Sequence, residues 1–261
     1  MIKFLIKLPI LKRIIPSIYK KYIFVTGNFL KKKKVNGINY ILDTRYLIDR
    51  NFFLRENYED KLFFLAKKLI KQNKINYFLD IGSCWGIYSL RLSKIKKLKI
   101  LSFDPIPKNI ERLNQMIEVN QLKNISTFKT ALGSKKDLIK LYGLEKFTPN
   151  YSIYDKKKSK NVIKSPINKL DNLVKIKNNL LYIKCDIEKH EYDFLKGSKK
   201  IISNNYIILQ IEIFEKNKNK VFKFLKKNKF NCLYQTKSDY IFSNFKIKNP
   251  QKFLSEGSNF V

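Results

Sequence analysis

The strongest constraint on this chain is a rhythm of short, mostly apolar runs at 77–81, 98–103, 180–187 and 206–213, with a half-polar one at 125–132, spaced by helix-length segments. Runs without a polar alternate face suit strands buried on both sides. The segments between them carry apolar residues at helical spacing: Leu62, Leu65, Ala66 and Leu69, then Ile110, Leu113 and Ile117, then Phe194, Leu195, Ile201 and Ile202, and finally Val221, Phe222 and Leu225. A further helix is expected over about 85–93. This alternation predicts a mostly parallel α/β sheet covered by helices on both faces. Segments 232–235 and 240–243, joined by a short turn, must pair antiparallel, because a parallel pair needs a longer crossover.

At 261 residues, 44% hydrophobic, the chain fits one large domain with an N-terminal attachment. Residues 35–43 alternate around an Asn-Gly turn and predict a hairpin. Asn57, followed by Glu59 and Asp60, is the expected start of the first domain helix. We therefore divide the chain into a basic extension and hairpin at 1–56, a catalytic domain at 57–245 and a polar tail at 246–261. The stretch 135–170, with Pro149, Pro166 and a lysine run at 156–160, reads as a long mobile excursion above the ligand edge, either a substrate cover or a solvated insertion.

Net charge is +34, from 55 Lys+Arg against 21 Asp+Glu. That excess points to polyanions in general. Here it is nearly all Lys, scattered with Ile and Asn over every segment, so compositional bias outweighs a placed nucleic-acid stripe; nucleic acid stays the second reading. Cys84, Cys185 and Cys232 form no C-x-x-C pair, which argues against a disulfide framework or zinc knuckle and for the cytoplasm. Residues 1–15 mix apolar residues with Lys and Arg and never reach the ~18 apolar residues of a membrane span. They suit a helix packed on the domain, or one resting on anionic lipid at the inner membrane face through residues 1–34, aided by the lysines at 31–34.

Asp80-Ile-Gly-Ser-Cys-Trp-Gly86 closes the first run and opens a helix, where a ligand loop of such a sheet belongs. Gly82 permits a tight turn and Gly86 a close helix approach. A pyrophosphate binder would want Gly where Cys84 stands, and Asp80 would repel that group; an acid there suits a cationic aminoacyl sulfonium instead. Asp104, 22 positions after Gly82, ends the second run and can accept from ribose hydroxyls. Pro105 then turns the chain away. The expected ligand is S-adenosylmethionine, held by Asp80, Gly82, Ser83, Cys84, Trp85, Gly86, Asp104, Pro105, Ala131 and Asp186.

With these pieces in order, the sequence resembles the FkbM-type methyltransferases from about Tyr58 to Phe242. The carriers are the stretches 57–60, 78–90, 103–113 and 167–171, and above all Ile183-Lys-Cys-Asp-Ile-Glu-Lys-His-Glu-Tyr-Asp-Phe-Leu-Lys-Gly197. The resemblance implies the class I methyltransferase form of the Rossmann-like fold, with a seven-stranded sheet and an antiparallel terminal strand. It also implies O-methylation of glycans, glycolipids or small hydroxylated metabolites. Two positions depart from the family pattern: Cys84 replaces Asn or His, and Lys189 replaces a Gly, where a side chain would fill the pocket or alter the loop, leaving altered specificity or a catalytically degenerate scaffold on the membrane surface as alternatives.

Asp186, Glu188, His190 and Glu191 follow the fourth run on the reaction edge. Methyl transfer needs an aligned hydroxyl, and a general base adds ~10²–10⁴-fold. His190, the only histidine, suits that role. Of Asp186 and Glu188 only one need look inward, and we assign Asp186. Magnesium held by Asp186, Glu188 or Asp171 is an alternative way to acidify the hydroxyl. Lys184 is expected to bridge to Glu212 or to orient substrate.

Overall fold

The structure is a computed structural model and describes residues 11–56, 58–143, 151–153, 159 and 161–247. The five apolar runs become the parallel body of a seven-stranded sheet. Its members are β3 (Tyr77–Ile81), β4 (Lys99–Phe103), β5 (Ile125–Phe128), β10 (Leu180–Cys185) and β11 (Tyr206–Glu212), extended by β12 (Asn231–Thr236) and β13 (Asp239–Ser243). The order is β12-β13-β11-β10-β3-β4-β5, and β13 pairs antiparallel with both of its neighbours. Strand order reverses between β3 and β10, so the carboxyl ends of these two strands open the crevice where ligands of such sheets bind.

Helices cover both faces. α3 (Asp60–Gln72), α4 (Ile87–Leu92) and α5 (Pro107–Val119) follow the predicted stripes, and Pro107 at the first turn of α5 suits its fixed φ. After the short α6 (Leu170–Leu173), the one helix expected over 194–202 is two short ones, α7 (Glu191–Lys196) and α8 (Lys199–Ser203), followed by α9 (Lys218–Lys227). Gly197 stands at the break, where a Cβ would meet the Gly133 carbonyl oxygen at 1.9 Å.

The expected strand over 125–132 divides. β5 stops at Phe128, and β6 (Ala131–Leu132) pairs instead with β9 (Asn161–Asn168). With β7 (Asp137–Gly143) and β8 (Tyr151–Ser152) these make a second sheet, ordered β6-β9-β7-β8. The excursion read as mobile is thus a paired ribbon over much of its length, with β7 and β9 antiparallel from Asp137↔Ile167 to Gly143↔Asn161. Its exposed positions include Leu138, Val162 and Pro166 beside Asp137, Lys140 and Lys164, so no polar face alternates with an apolar one in the sequence. Pro149 and the lysine run lie outside the described residues, as do the Asn57 cap and residues 248–261.

The N-terminal hairpin forms around Asn36 and Gly37, both at positive φ, but its first strand β1 (Leu30–Val35) is the lysine run itself, paired with β2 (Ile38–Asp43). α1 (Leu11–Thr26) precedes it, and α2 (Leu47–Arg55), which the periodicity missed, follows. Tyr40 and Phe52 from this extension pack edge-on against Trp85, at 6.2 and 6.1 Å, in a core shared with Leu90 and Leu113. The extension and the sheet domain therefore share side-chain packing beneath the glycine loop.

Candidate functional site

The glycine loop is pinned from three sides. Gly82 and Ser83 donate their N–H groups to the Phe103 carbonyl, at 2.9 and 3.0 Å, and Cys84 donates its own to Asp104 Oδ2 at 2.8 Å. Gly82 sits at φ +78, and a Cβ there would meet the Asp186 carbonyl oxygen at 2.0 Å, so the crossing of β3 and β10 requires glycine. At Gly86, φ +83, the close neighbour is Leu113 of α5.

Asp104 is buried, with Oδ1 accepting from Ile106 N–H at 2.9 Å and from Asn109 Nδ2 at 3.0 Å. Burial outweighs these bonds and pushes its pKa up to about 7. A carboxylate has about four acceptor positions. Three are taken, so Asp104 has room on Oδ2 for one further hydroxyl. Asp80, also buried, accepts from Ser89 Oγ at 2.6 Å, which in turn lies 2.7 Å from Ser102 Oγ. Desolvation raises the Asp80 pKa, opposed by the charge of Lys184 in register beside it on β10.

Lys184 does not reach Glu212. Its ammonium lies 2.9 Å from Asp186 Oδ2 and 5.0 Å from the centre of the Tyr88 ring, and despite burial its pKa is raised well above the ordinary value by Asp186 and other nearby acids. Glu212 instead accepts from Ser238 Oγ at 2.9 Å. The strand ends at Cys185, two residues earlier than the apolar run suggests, and the chain then turns through Glu188 and Lys189 at φ +53 and +76. That turn carries both Asp186 and Glu188 to the cleft, correcting the expectation that only one looks in.

Glu191 holds the turn by accepting from Lys189 N–H at 3.0 Å, while Asn217 Nδ2 donates to the Lys189 carbonyl at 2.8 Å. Lys189 keeps a glycine-like backbone, and its ammonium lies 5.7 Å from the Phe214 ring centre, so its side chain does not border the cleft. His190 does border it. Burial holds its pKa below the ordinary value, against the opposing pull of Asp193, whose Oδ2 is 3.7 Å from Nδ1.

The cleft, about 1040 Å³ with its open mouth included, is bordered by Asp80, Gly82, Ser83, Cys84, Asp104, Pro105, Ala131, Lys184, Asp186, Glu188 and His190. Trp85 and Gly86 lie behind the loop, Trp85 fully buried. Three aromatic walls were not among the expected site residues: Tyr58 before α3 and Tyr88 in α4, both inside stretches that carry the family resemblance, and Tyr151 in the ribbon, which had no signal. Asp171 is elsewhere, its carboxylate accepting from the N–H groups of Lys200 and Ile201 at 2.9 Å to cap α8. Among the described residues no three His, Cys, Asp or Glu side chains gather as metal ligands. The cleft suits a nucleoside with a charged tail: bare backbone at Gly82, one acceptor left on Asp104, and a buried acid and ammonium side by side at Asp80 and Lys184.

Residues 80–236 match the Methyltransferase FkbM domain. Solved structures with similar folds include the ribosomal protein L11 methylase of Lactobacillus delbrueckii subsp. bulgaricus, at 14% identity over 69% of this chain and 75% of that one, TM-score 0.42. M. jannaschii TYW2 in complex with AdoMet is 11% identical over 82% and 84%, TM-score 0.42. P. horikoshii TYW2 in complex with MeSAdo is 13% identical over 90% and 83%, TM-score 0.46. No functionally curated protein matches the sequence.

Proposed function

Because this chain belongs to the FkbM methyltransferase family, whose methyl donor is S-adenosylmethionine, we propose that it methylates a hydroxyl of a glycan, glycolipid or small metabolite above the exit turn of β10. The observation that carries this reading is the convergence of the glycine loop, the Lys184–Asp186 pair and His190 on one cleft. Bound there, the cofactor supplies an electrophilic methyl group on a sulfonium. Asp104 would hold its ribose, and Asp80 its ammonium. Asp186 is committed to Lys184 at 2.9 Å, which fixes the turn but occupies its carboxylate. His190, kept neutral near pH 7 by burial, is the group we assign to take the hydroxyl proton, with Asp193 favouring the imidazolium that forms.

Labelled methyl transfer to purified glycan and glycolipid fractions tests the acceptor; absence of cofactor binding by calorimetry, for both this protein and Asp80→Ala, would overturn the reading. His190→Asn is expected to lower kcat by ~10²–10⁴-fold with the cofactor Kd within twofold, the signature of a lost base. RNA as acceptor has one observation in its favour, a groove between α7–α8 and α9 lined by Lys199, Lys200, Lys220, Lys223 and Lys227 with Tyr192 and Phe224. That reading requires RNA affinity that falls steeply with salt.

A further inference from the structure

We infer that α1 and β1 form a docking face for an anionic lipid surface, whatever the acceptor of the methyl group. α1 holds to the domain by one side only: Ile23 is fully buried and Tyr19 stacks on Phe53 of α2, with ring centres 5.7 Å apart. On the outside, Ile14, Ile18, Tyr22 and Val25 fall within roughly 80° of arc at 3.6 residues per turn. They are 43%, 60%, 56% and 86% exposed, and Leu30 at the start of β1 adds a fifth apolar side chain at 64%. A stripe this apolar on a helix surface calls for a partner.

The charges beside it say which. Lys20 and Lys21 sit on α1, and Lys32 and Lys34 share the exposed face of β1 with Leu30. Every charged residue of these two elements is Lys or Arg, and among the described side chains only Lys33 is ion-paired, with Glu56 at 3.0 Å. A second copy seated on the stripe would bring lysine against lysine. An acidic bilayer surface satisfies both features, taking the apolar stripe at the headgroup boundary and the ammonium groups at the phosphates. No helix among the described residues is long and apolar enough to cross a membrane.

Flotation of the full chain with vesicles tests this. Binding to phosphatidylcholine vesicles containing one third phosphatidylglycerol is expected to exceed binding to pure phosphatidylcholine at least tenfold, and to weaken when salt rises from 0.1 to 0.5 M. The variant Ile18→Glu/Val25→Glu, at two exposed positions, is expected to lose at least tenfold in partition with its circular dichroism unchanged. Should that variant misfold, Ile18→Trp supplies the readout, and its emission is expected to shift to the blue with acidic vesicles only. Equal partition of wild type and variant, no preference for acidic vesicles, or a dimer that Ile18→Glu/Val25→Glu dissociates would each overturn the proposal.

Discussion

Lys189 shows how a single residue can depart from a family pattern and keep its geometry. The family's Gly at this position predicts a positive φ, and the lysine adopts it at +76, held by Glu191 and Asn217. Left-handed backbone costs a residue with a Cβ about 1–2 kcal/mol, part of which glycine gives back through a freer unfolded chain. Lys189→Gly is therefore expected to stabilise the fold by about 0.5–1 kcal/mol, read as a thermal midpoint raised by about 1–4 °C. Asp104 has a second, opposite lesson. With its pKa pushed up to about 7, it loses its charge, and with it one acceptor, as pH falls through neutrality. Calorimetry between pH 6 and 8 is expected to show cofactor affinity falling toward pH 6, and Asp104→Asn is expected to flatten that dependence. Sequence alone exposed the acid; its three protein donors, which leave room for one ribose hydroxyl and not two, depend on Cys84 of the glycine loop meeting Ile106 and Asn109 at the start of α5.

Among the elements, legibility followed burial. β3 and its flanking helices were readable because both faces are covered and the apolar runs are unbroken. β1 was not, since its lysines fall on both faces, Lys32 and Lys34 exposed and Lys31 and Lys33 part-buried, and neither was α2, which is too short to show a period. The β7–β9 ribbon was hidden because apolar Leu138 and Val162 sit on its exposed face, yet it contributes Leu141, Tyr151 and Ile153 to the cleft wall. A Cβ at Gly143 would touch the Tyr151 ring at 2.8 Å, so ribbon and aromatic wall are fitted to each other. Tyr151→Ala is expected to raise the acceptor KM several-fold while moving cofactor Kd less than twofold; equal effects on both would place Tyr151 on the cofactor instead.

Across the whole molecule the few acids are unevenly placed. Although the chain carries +34, Asp80, Asp104, Asp186, Glu188, Glu191, Glu212 and Asp239 collect at the carboxyl edge of the sheet, around the ammonium of Lys184. Burial and mutual repulsion raise Asp104, Glu191 and Glu212 to about 7 and Asp239 to about 6. A carboxyl whose folded pKa is raised contributes stability that is present below its ordinary value and lost as pH climbs through the raised one. His190, lowered by burial, acts in the opposite sense, one group against four. The thermal midpoint is therefore expected to be lower at pH 8 than at pH 6, measured by calorimetry without ligand. Tyr40 and Phe52 cover one side of Trp85, so the donor loop rests on side chains from outside the sheet domain. Cutting that hairpin and helix away would strip the loop of its backing and leave an indole bare to water.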